Sequence, residues 1–534
     1  MRKNLRYTMP PAMILALSLA LGFGMKVKER VFMPYGIGVN AILFVGLTAV
    51  FTLLFHGIYF LCDKYGCQSQ DNTDFFIKKK WGFGTFFLIY TICYLPYFLS
   101  FFPGNCGKDT IQSLDMILGN IPWTNHHPIL FTFIIMIFVK GTAFLGSLSL
   151  SVGIFTFFHM LLFAACNAYV TKRIVKGNFF FFGKILTVLF YAFHPFMGMY
   201  SIYLTKDVLF SIIMVFMTLT LFDMVKEGKA WFAGVKNPLK LALLFLLAAL
   251  LRNNGIYIIF VMAVIMLLVY KENRITILCM FAGVLLFVGI YQGPVFQSMG
   301  IEKSSFRESV AIPLQQVAHV ITDEKNTRKD LEEVYTKEGV ELLETTLPFE
   351  AVKEVYTPGY VDPYKFHEDF NDGYFNENAG EFIRIWAKGI VPYFPEYVEA
   401  YLFQTAGYWH FYETNTVATE GVVENDIGLE GHDLIDATLG FSMQDGISFI
   451  IRVGRKLPGL RIFASMAMQM LAVLVFVMQT MRRKEKREII PVIPLVILWA
   501  TLMVATPAFC LLRYMFPLFL LWPVLIAKIC KATL

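Results

Sequence analysis

Charge is scarce in this chain. Only 16% of its 534 residues are Asp, Glu, Lys or Arg, against about 25% in a typical soluble domain. With 57% hydrophobic residues, that deficit excludes an ordinary soluble enzyme. Cysteine motifs are missing too. The eight cysteines are scattered, mostly inside apolar runs, with no Cys-x-x-Cys or Cys/His spacing. That argues against structural zinc and against a disulfide framework. No internal repeat and no low-complexity tract is visible. The formal charge of +6 does not point to nucleic acid, because the basic residues cluster between hydrophobic segments, where topology accounts for them. The basic start (Arg2, Lys3, Arg6) and the apolar stretch to Met25 resemble a signal peptide. No A-x-A-like site follows, so the stretch reads as a first, uncleaved span.

Long apolar runs are what the chain has in abundance. A span needs roughly 20 apolar residues. Candidates run at 9–25, 35–62, 82–102, 147–170, 179–202, 207–224, 238–252, 255–270, 275–297, 460–480, 488–507 and 511–529. The run 128–145 is interrupted by Lys140 and Gly141. The positive-inside rule decides its placement. If it lies along the outer surface, all the main basic clusters face the cytoplasm. These are Arg2/Lys3/Arg6, Lys64 with Lys78–Lys80, Lys172/Arg173/Lys176, Lys226/Lys229/Lys236/Lys240, Lys271/Arg274, Arg482/Arg483/Lys484/Lys486/Arg487 and Lys528/Lys531. The expected fold is an all-α polytopic membrane protein of about 12 transmembrane helices, with both termini cytoplasmic and an interfacial helix at 128–145.

Two outer regions follow, the loop 103–146 and the segment 299–459. The second is too long for a connector and is expected to fold as a mixed cap. Within it, Thr322–Val355 reads as solvated helix. An aromatic stretch holds Tyr393, Phe394, Tyr397, Tyr401, Trp409 and His410. Such rings suit packing within the cap or an interfacial belt, and alternatively a sugar or lipid surface. The chain divides into two N-terminal spans (1–80), a core (81–298), the cap (299–459) and the final spans (460–534).

Candidate chemistry concentrates in PGNCGKDTIQSLDMILGNIPWTNHHPIL. Carboxylates are costly near lipid and are functional candidates there. Asp109 is suited to accept a proton from an attacking hydroxyl; its structural alternative is the first turn of a helix after Gly107. Asp115, six residues on, lies nearly two turns away, so the two cannot easily serve one atom; it is a candidate for a separate substrate or metal contact. His126 and His127 precede Pro128, which suits a helix start. They are candidates for metal or donor phosphate, or simply for capping that helix. Adjacent helical histidines diverge, which argues against a two-histidine metal site. Three isolated cations stand at span ends: Lys206 in YLTKD, Arg252 in LLRNNG and Arg513 in LLRYMFP. Arg binds phosphate through a planar fork and Lys as a point charge; snorkelling is the alternative. Asp207 beside Lys206 is a further candidate for a substrate or metal contact, or else the two neutralise each other locally. RNNG suits a tight reversal, and His194-Pro195 marks a kink. Lys184 and His159 read as structural.

In order and context, these motifs resemble the GT-C superfamily of membrane glycosyltransferases. The resemblance rests on PGNCGKD in the first large outer loop, then HHPIL, YLTKDVLF, LLRNNG and RYMFP. It covers roughly 82–300 and the final spans, and it looks closest to bacterial members without an assigned substrate. It implies a polyprenyl-phosphate-sugar donor, a glycan, lipid or protein acceptor, and Asp109 as catalytic base. It leaves a divalent cation open as a cofactor. The chain departs from the family where Lys108 replaces the first member of an acidic pair, and where His127-Pro128-Ile129 stands for a His-Pro-Pro element. The rival readings are a transporter or flippase of lipid-linked glycans, and a non-catalytic scaffold.

Overall fold

The computed structural model describes residues 2–66, 75–78, 81–411, 413, 417, 419–457, 464–506, 508–509 and 511–533. Cys67, Cys510, Tyr412 and the side chains of Lys78–Lys80 lie outside the described residues, as does the start of the expected span 460–480.

Apolar helices dominate because segments rich in Leu, Ile, Phe and Val can satisfy their backbone groups internally without water. The first pair is α1 (Arg2–Leu21) and α2 (Gly36–Tyr65). Then come α3 (Phe83–Ser100), α4 (Lys108–Leu118), α5 (Ile129–Gly141), α6 (Leu148–Lys176), α7 (Phe181–Phe193) and α8 (Pro195–Ser201). They are followed by α9 (Lys206–Glu227), α10 (Lys236–Leu251), α11 (Gly255–Val269) and α12 (Arg274–Ile290). Among the described residues, seven helices are long and apolar enough to cross a membrane, or eight if α7 and α8, bent by 49° at His194-Pro195, form one span. The chain is therefore a multi-pass helical membrane protein. Four further apolar helices are shorter, including α11 and α5. At 13 residues, α5 reaches only about 20 Å, short of a bilayer core of about 30 Å.

α9 is the central helix, buried over most of its length. α10 packs on it, and α11 folds back along α10. That reversal needs Gly255: a Cβ there would stand 2.4 Å from the Ala248 carbonyl oxygen. At the far end of α9, Arg173 pairs with Asp223, Lys528 with Glu488, and Arg482 and Arg483 with Asp63. His159 and Lys184 are buried structural groups; the His159 Nδ1 lies 2.9 Å from the Ser201 carbonyl oxygen.

The near end of the bundle is covered by residues 299–409. The expectation of a mixed cap is corrected. Its described residues form helices and isolated bridges, with no strand. The run expected as solvated helix is a set of short helices, Arg328–Tyr335, Lys337–Thr346 and Phe349–Val355. Their charges face out, while Leu331, Tyr335, Val340 and Leu343 join a separate apolar core with α13 (Ala311–Thr322). The aromatic stretch forms α14 (Phe394–Trp409), which ties the cap to the bundle. Gln404 donates to the Thr506 carbonyl at 2.8 Å, and Trp499 donates to the Tyr408 carbonyl at 3.0 Å. Beyond it, α15 (Met443–Lys456), α16 (Met466–Arg482), α17 (Ile493–Ala505) and α18 (Phe516–Ile529) complete the chain.

Candidate functional site

A cavity of about 1560 Å³ opens between the cap and the near end of the bundle. Its floor carries Asp109, His126, His127, Lys206, Asp207, Arg252 and Arg513, and its roof comes from cap residues 302–309 and 360–372. Its lower wall runs down α11 (Tyr257, Val261) and α17 (Val496, Ile497, Ala500, Val504).

Backbone pairing brings the floor together. Asn105 donates to the Ile202 carbonyl at 2.9 Å, and Leu204 donates back to the Asn105 carbonyl at 3.0 Å. On its other side, Cys106 exchanges bonds of 2.9 and 3.1 Å with Gly421 and Val423. The loop ahead of α4 is thus held between the α8–α9 connection and the segment returning from the cap. Asp109 then falls in the first turn of α4 and Lys206 in the first turn of α9. A first-turn carboxylate also suits the positive end of the helix dipole.

Asp109 is the hub. Its Oδ2 accepts from Lys206 Nζ at 2.8 Å and from Arg513 Nη1 at 3.1 Å. Its Oδ1 lies 3.6 Å from His127 Nε2. Burial disfavours the charged carboxylate, but Arg513, Lys206 and His127 outweigh it and hold the Asp109 carboxyl well below the usual range. His127 goes the same way for the opposite reason. Burial first, then the Lys206 ammonium, push its imidazole well below its ordinary value, so it is neutral. Lys206 Nζ lies 2.7 Å from His127 Nδ1, and an ammonium only donates. Nδ1 therefore accepts, which leaves the proton on Nε2, toward Asp109. Burial also lowers His126.

Local neutralisation within Lys206-Asp207 does not occur. Successive helical residues diverge by about 100°. Lys206 turns to Asp109, while Asp207, 1% exposed, faces Arg252 Nη1 at 3.5 Å and Arg513 Nε at 3.7 Å. Arg252 donates to the Tyr514 carbonyl at 3.0 Å. Arg513 thus bridges both carboxylates, braced by the Tyr203 hydroxyl at 3.4 Å. Asp115 is not in the cavity; it lies near the other end of α4 and accepts from Asn120 at 2.9 Å. The aromatic candidates Tyr393, Phe394, Tyr397, Tyr401, Trp409 and His410 do not line it either.

The cap contributes residues that sequence reading missed. Lys365, 2% exposed, pairs with Glu308 at 2.8 Å and Asp362 at 3.1 Å. Arg307 lies over Phe366 and faces Asp372 at 3.5 Å. Amid the many charges of the cap, no local signal separates them. Asn253 of RNNG and Tyr514 of RYMFP also line the cavity.

The donor chemistry does not fit a divalent cation. No group of three His, Cys, Asp or Glu residues with metal spacing occurs among the described residues. Asp109 and Asp207 are already paired with three cations, Lys206, Arg252 and Arg513, which would repel another. The floor carries four cations (Lys108, Lys206, Arg252, Arg513) against two carboxylates. The excess of positive charge is confined to the floor; the roof adds Glu302, Glu308, Asp362 and Asp372 beside Lys303, Arg307 and Lys365.

The sign of the pH dependence follows from these shifts. A depressed histidine costs stability once the unfolded chain protonates and the folded one does not. Stability falls below pH ~6.5 through His127 and His126, and again below pH ~4 through Asp109. The thermal midpoint should drop between pH 7 and pH 5, and drop less in His127→Gln. An equal slope in both proteins would remove His127 from this role.

Fold and site together define a multi-pass helical membrane protein with a cap-covered cavity, charged on floor and roof, at one end. Within that class the chain belongs to the DUF6020 family, a family of unknown function, which it matches over residues 120–533. No curated protein and no solved structure matches it.

Proposed function

We propose that this protein is a membrane glycosyltransferase of GT-C type, moving a sugar from a polyprenyl-phosphate donor to an acceptor on the outer face of the membrane. The observation that carries this reading is a carboxylate and three isolated cations, from segments far apart in sequence, on one cavity floor. The cavity also changes character along its length. Its charged floor continues into an apolar wall on α11 and α17, where Tyr257 is 56% and Val504 72% exposed. The wall from Val496 to Ala505 extends about 13 Å. A phosphate at the head and an isoprenoid chain along that wall suit both halves.

The chemistry follows from the charges. Arg252, Arg513 and Lys206 hold the donor phosphate and offset charge on the leaving group. Asp109 takes the proton of the acceptor hydroxyl as its oxygen attacks the anomeric carbon. That carbon–oxygen bond forms as the bond to the lipid phosphate breaks, so a single displacement inverts the anomeric centre. Without donor, Lys206 and Arg513 make Asp109 a weak base. An incoming phosphate competes for both cations, which raises the basicity of Asp109 when a donor is present. The cap then orients the acceptor from above.

The twelve spans of this reading include α1, α10, α11 and α16. Facing the cavity outward puts Lys226, Arg482 and Lys528 on the cytoplasmic side, as the positive-inside rule requires. Transport of lipid-linked glycans would need polar groups through both leaflets, whereas the middle of α9 is buried Phe210, Met214, Met217 and Leu221. Transfer of radiolabelled sugar from polyprenyl-phosphate donors in proteoliposomes tests the reading. Asp115→Ala should leave that transfer unchanged within a factor of two, since Asp115 lies off the cavity; a tenfold loss would bring it back into the site.

A further inference from the structure

A second feature stands apart from the cavity. Helix α15 (Met443–Lys456) packs against the end of α3 and against α8. Gln444 of its first turn donates to the Ser100 carbonyl, the last residue of α3. This fixes α15 at the cavity end of a membrane-spanning helix. At 100° per residue, Phe449, Val453, Ile450, Met443, Ile447 and Ile451 share one apolar arc of about 200°. The protein covers only one edge of that arc. Ile447 and Ile451 are buried, whereas Phe449 is 62% and Ile450 57% exposed. Phe441, just before the helix, is 54% exposed.

The opposite arc is polar and net basic, with Gln444, Ser448, Arg452, Arg455 and Lys456 and one exposed acid, Asp445, between Arg452 and Lys456. The three cations have no ion pair among the described residues, and Arg455 Nε is buried without a hydrogen-bond partner. An exposed apolar edge beside a basic arc is the composition of helices that lie at a membrane surface. α3, on which α15 packs, exposes Leu88 and Ile92 on the bundle exterior, where a membrane-crossing helix meets lipid.

We propose that α15 lies in the plane of the membrane at the cavity end, with Phe449 and Ile450 among acyl chains and Arg452, Arg455 and Lys456 against phospholipid phosphates. The occupant of the exposed edge is the lipid leaflet rather than another protein. This placement does not depend on the glycosyltransferase reading. It is separate from the expected interfacial helix at 128–145, which corresponds to α5.

The test is nitroxide accessibility in the full-length protein in phosphatidylcholine nanodiscs. Labels go singly at 448, 449, 450 and 452 through an encoded keto amino acid, so the native cysteines stay unmodified. The expected result is oxygen-dominated relaxation at 449 and 450, and nickel-chelate-dominated relaxation at 448 and 452. Arg452→Glu with Lys456→Glu should shift the first two sites toward the chelate. Nickel-chelate access at 449 and 450 equal to that at 448 would place the edge in water and overturn the proposal. So would labels at 449 and 450 shielded from both reagents, which would mean a protein contact.

Discussion

Asp109→Asn should reduce the turnover of sugar transfer by at least a hundredfold while leaving donor affinity unchanged or tighter. The size follows from the loss of a positioned general base, which contributes about a hundred- to ten-thousand-fold. The affinity follows from charge, because the substitution removes an anion 2.8 Å from Lys206 and 3.1 Å from Arg513. Both cations then face an incoming phosphate uncompensated. Folding should be nearly intact, because an asparagine oxygen can still accept from Lys206 or Arg513. One local conflict remains: the new amide would set a donor toward His127 Nε2–H, 3.6 Å away. The readout is the split between turnover and Michaelis constant for the donor. Wild-type turnover in this variant would remove Asp109 from the chemistry. A rise in the donor Michaelis constant with normal turnover would make it a binding group.

Arg513→Ala should cost about a hundred- to a thousandfold in turnover divided by Michaelis constant for the donor, the scale of losing one preorganised charge stabiliser. It should also lower stability. Arg513 contacts Asp109 and Asp207, and Asp207 is 1% exposed. Removing one partner of a buried ion pair typically costs about 3–5 kcal/mol, because the remaining charge stays buried. Two companions separate these effects. Arg513→Lys should restore little, since a point charge cannot span two carboxylates as a guanidinium does. Arg513→Ala with Asp207→Asn should regain stability and leave transfer low. Full recovery of transfer in that double variant would mean that Arg513 serves only to neutralise Asp207.

Contrast explains which parts of the site are legible in the sequence. Lys206, Arg252 and Arg513 stand out because each interrupts an apolar run. Asp109 stands out beside a Pro-Gly turn at a span end. Arg307, Asp362 and Lys365 carry equal charge on the opposite wall, yet they sit among dozens of charged residues and give no signal. Adjacency misled at Lys206-Asp207, where the helix sends neighbours to different partners. Spacing served better at Asp115: six residues on, it lies nearly two turns from Asp109 and outside the cavity.

The fold divides the same way. Apolar runs mark the positions of the helices well, and the His194-Pro195 bend and the RNNG reversal follow from their residues. The number of crossings is harder to read, because α10, α11 and α16 are 15–17 residues long and pack on other helices. The helical nature of the cap was hidden by its aromatic residues, which suit strands as well as the joint that α14 makes. The amphipathic α15 is visible in the periodicity of MQDGISFIIRVGRK, once a helix rather than a loop is assumed there.

The central claim is that the cavity holds a lipid phosphate. Electron cryomicroscopy of the full-length protein in nanodiscs with a polyprenyl-phosphate sugar tests it most directly. The expected result is phosphate density within hydrogen-bonding distance of Arg252 and Arg513, with the isoprenoid chain between α11 and α17 and Asp109 turned from Arg513 toward the sugar. Lipid density elsewhere, with the Asp109–Lys206–Arg513 cluster unchanged and the cavity empty at saturating donor, would contradict it.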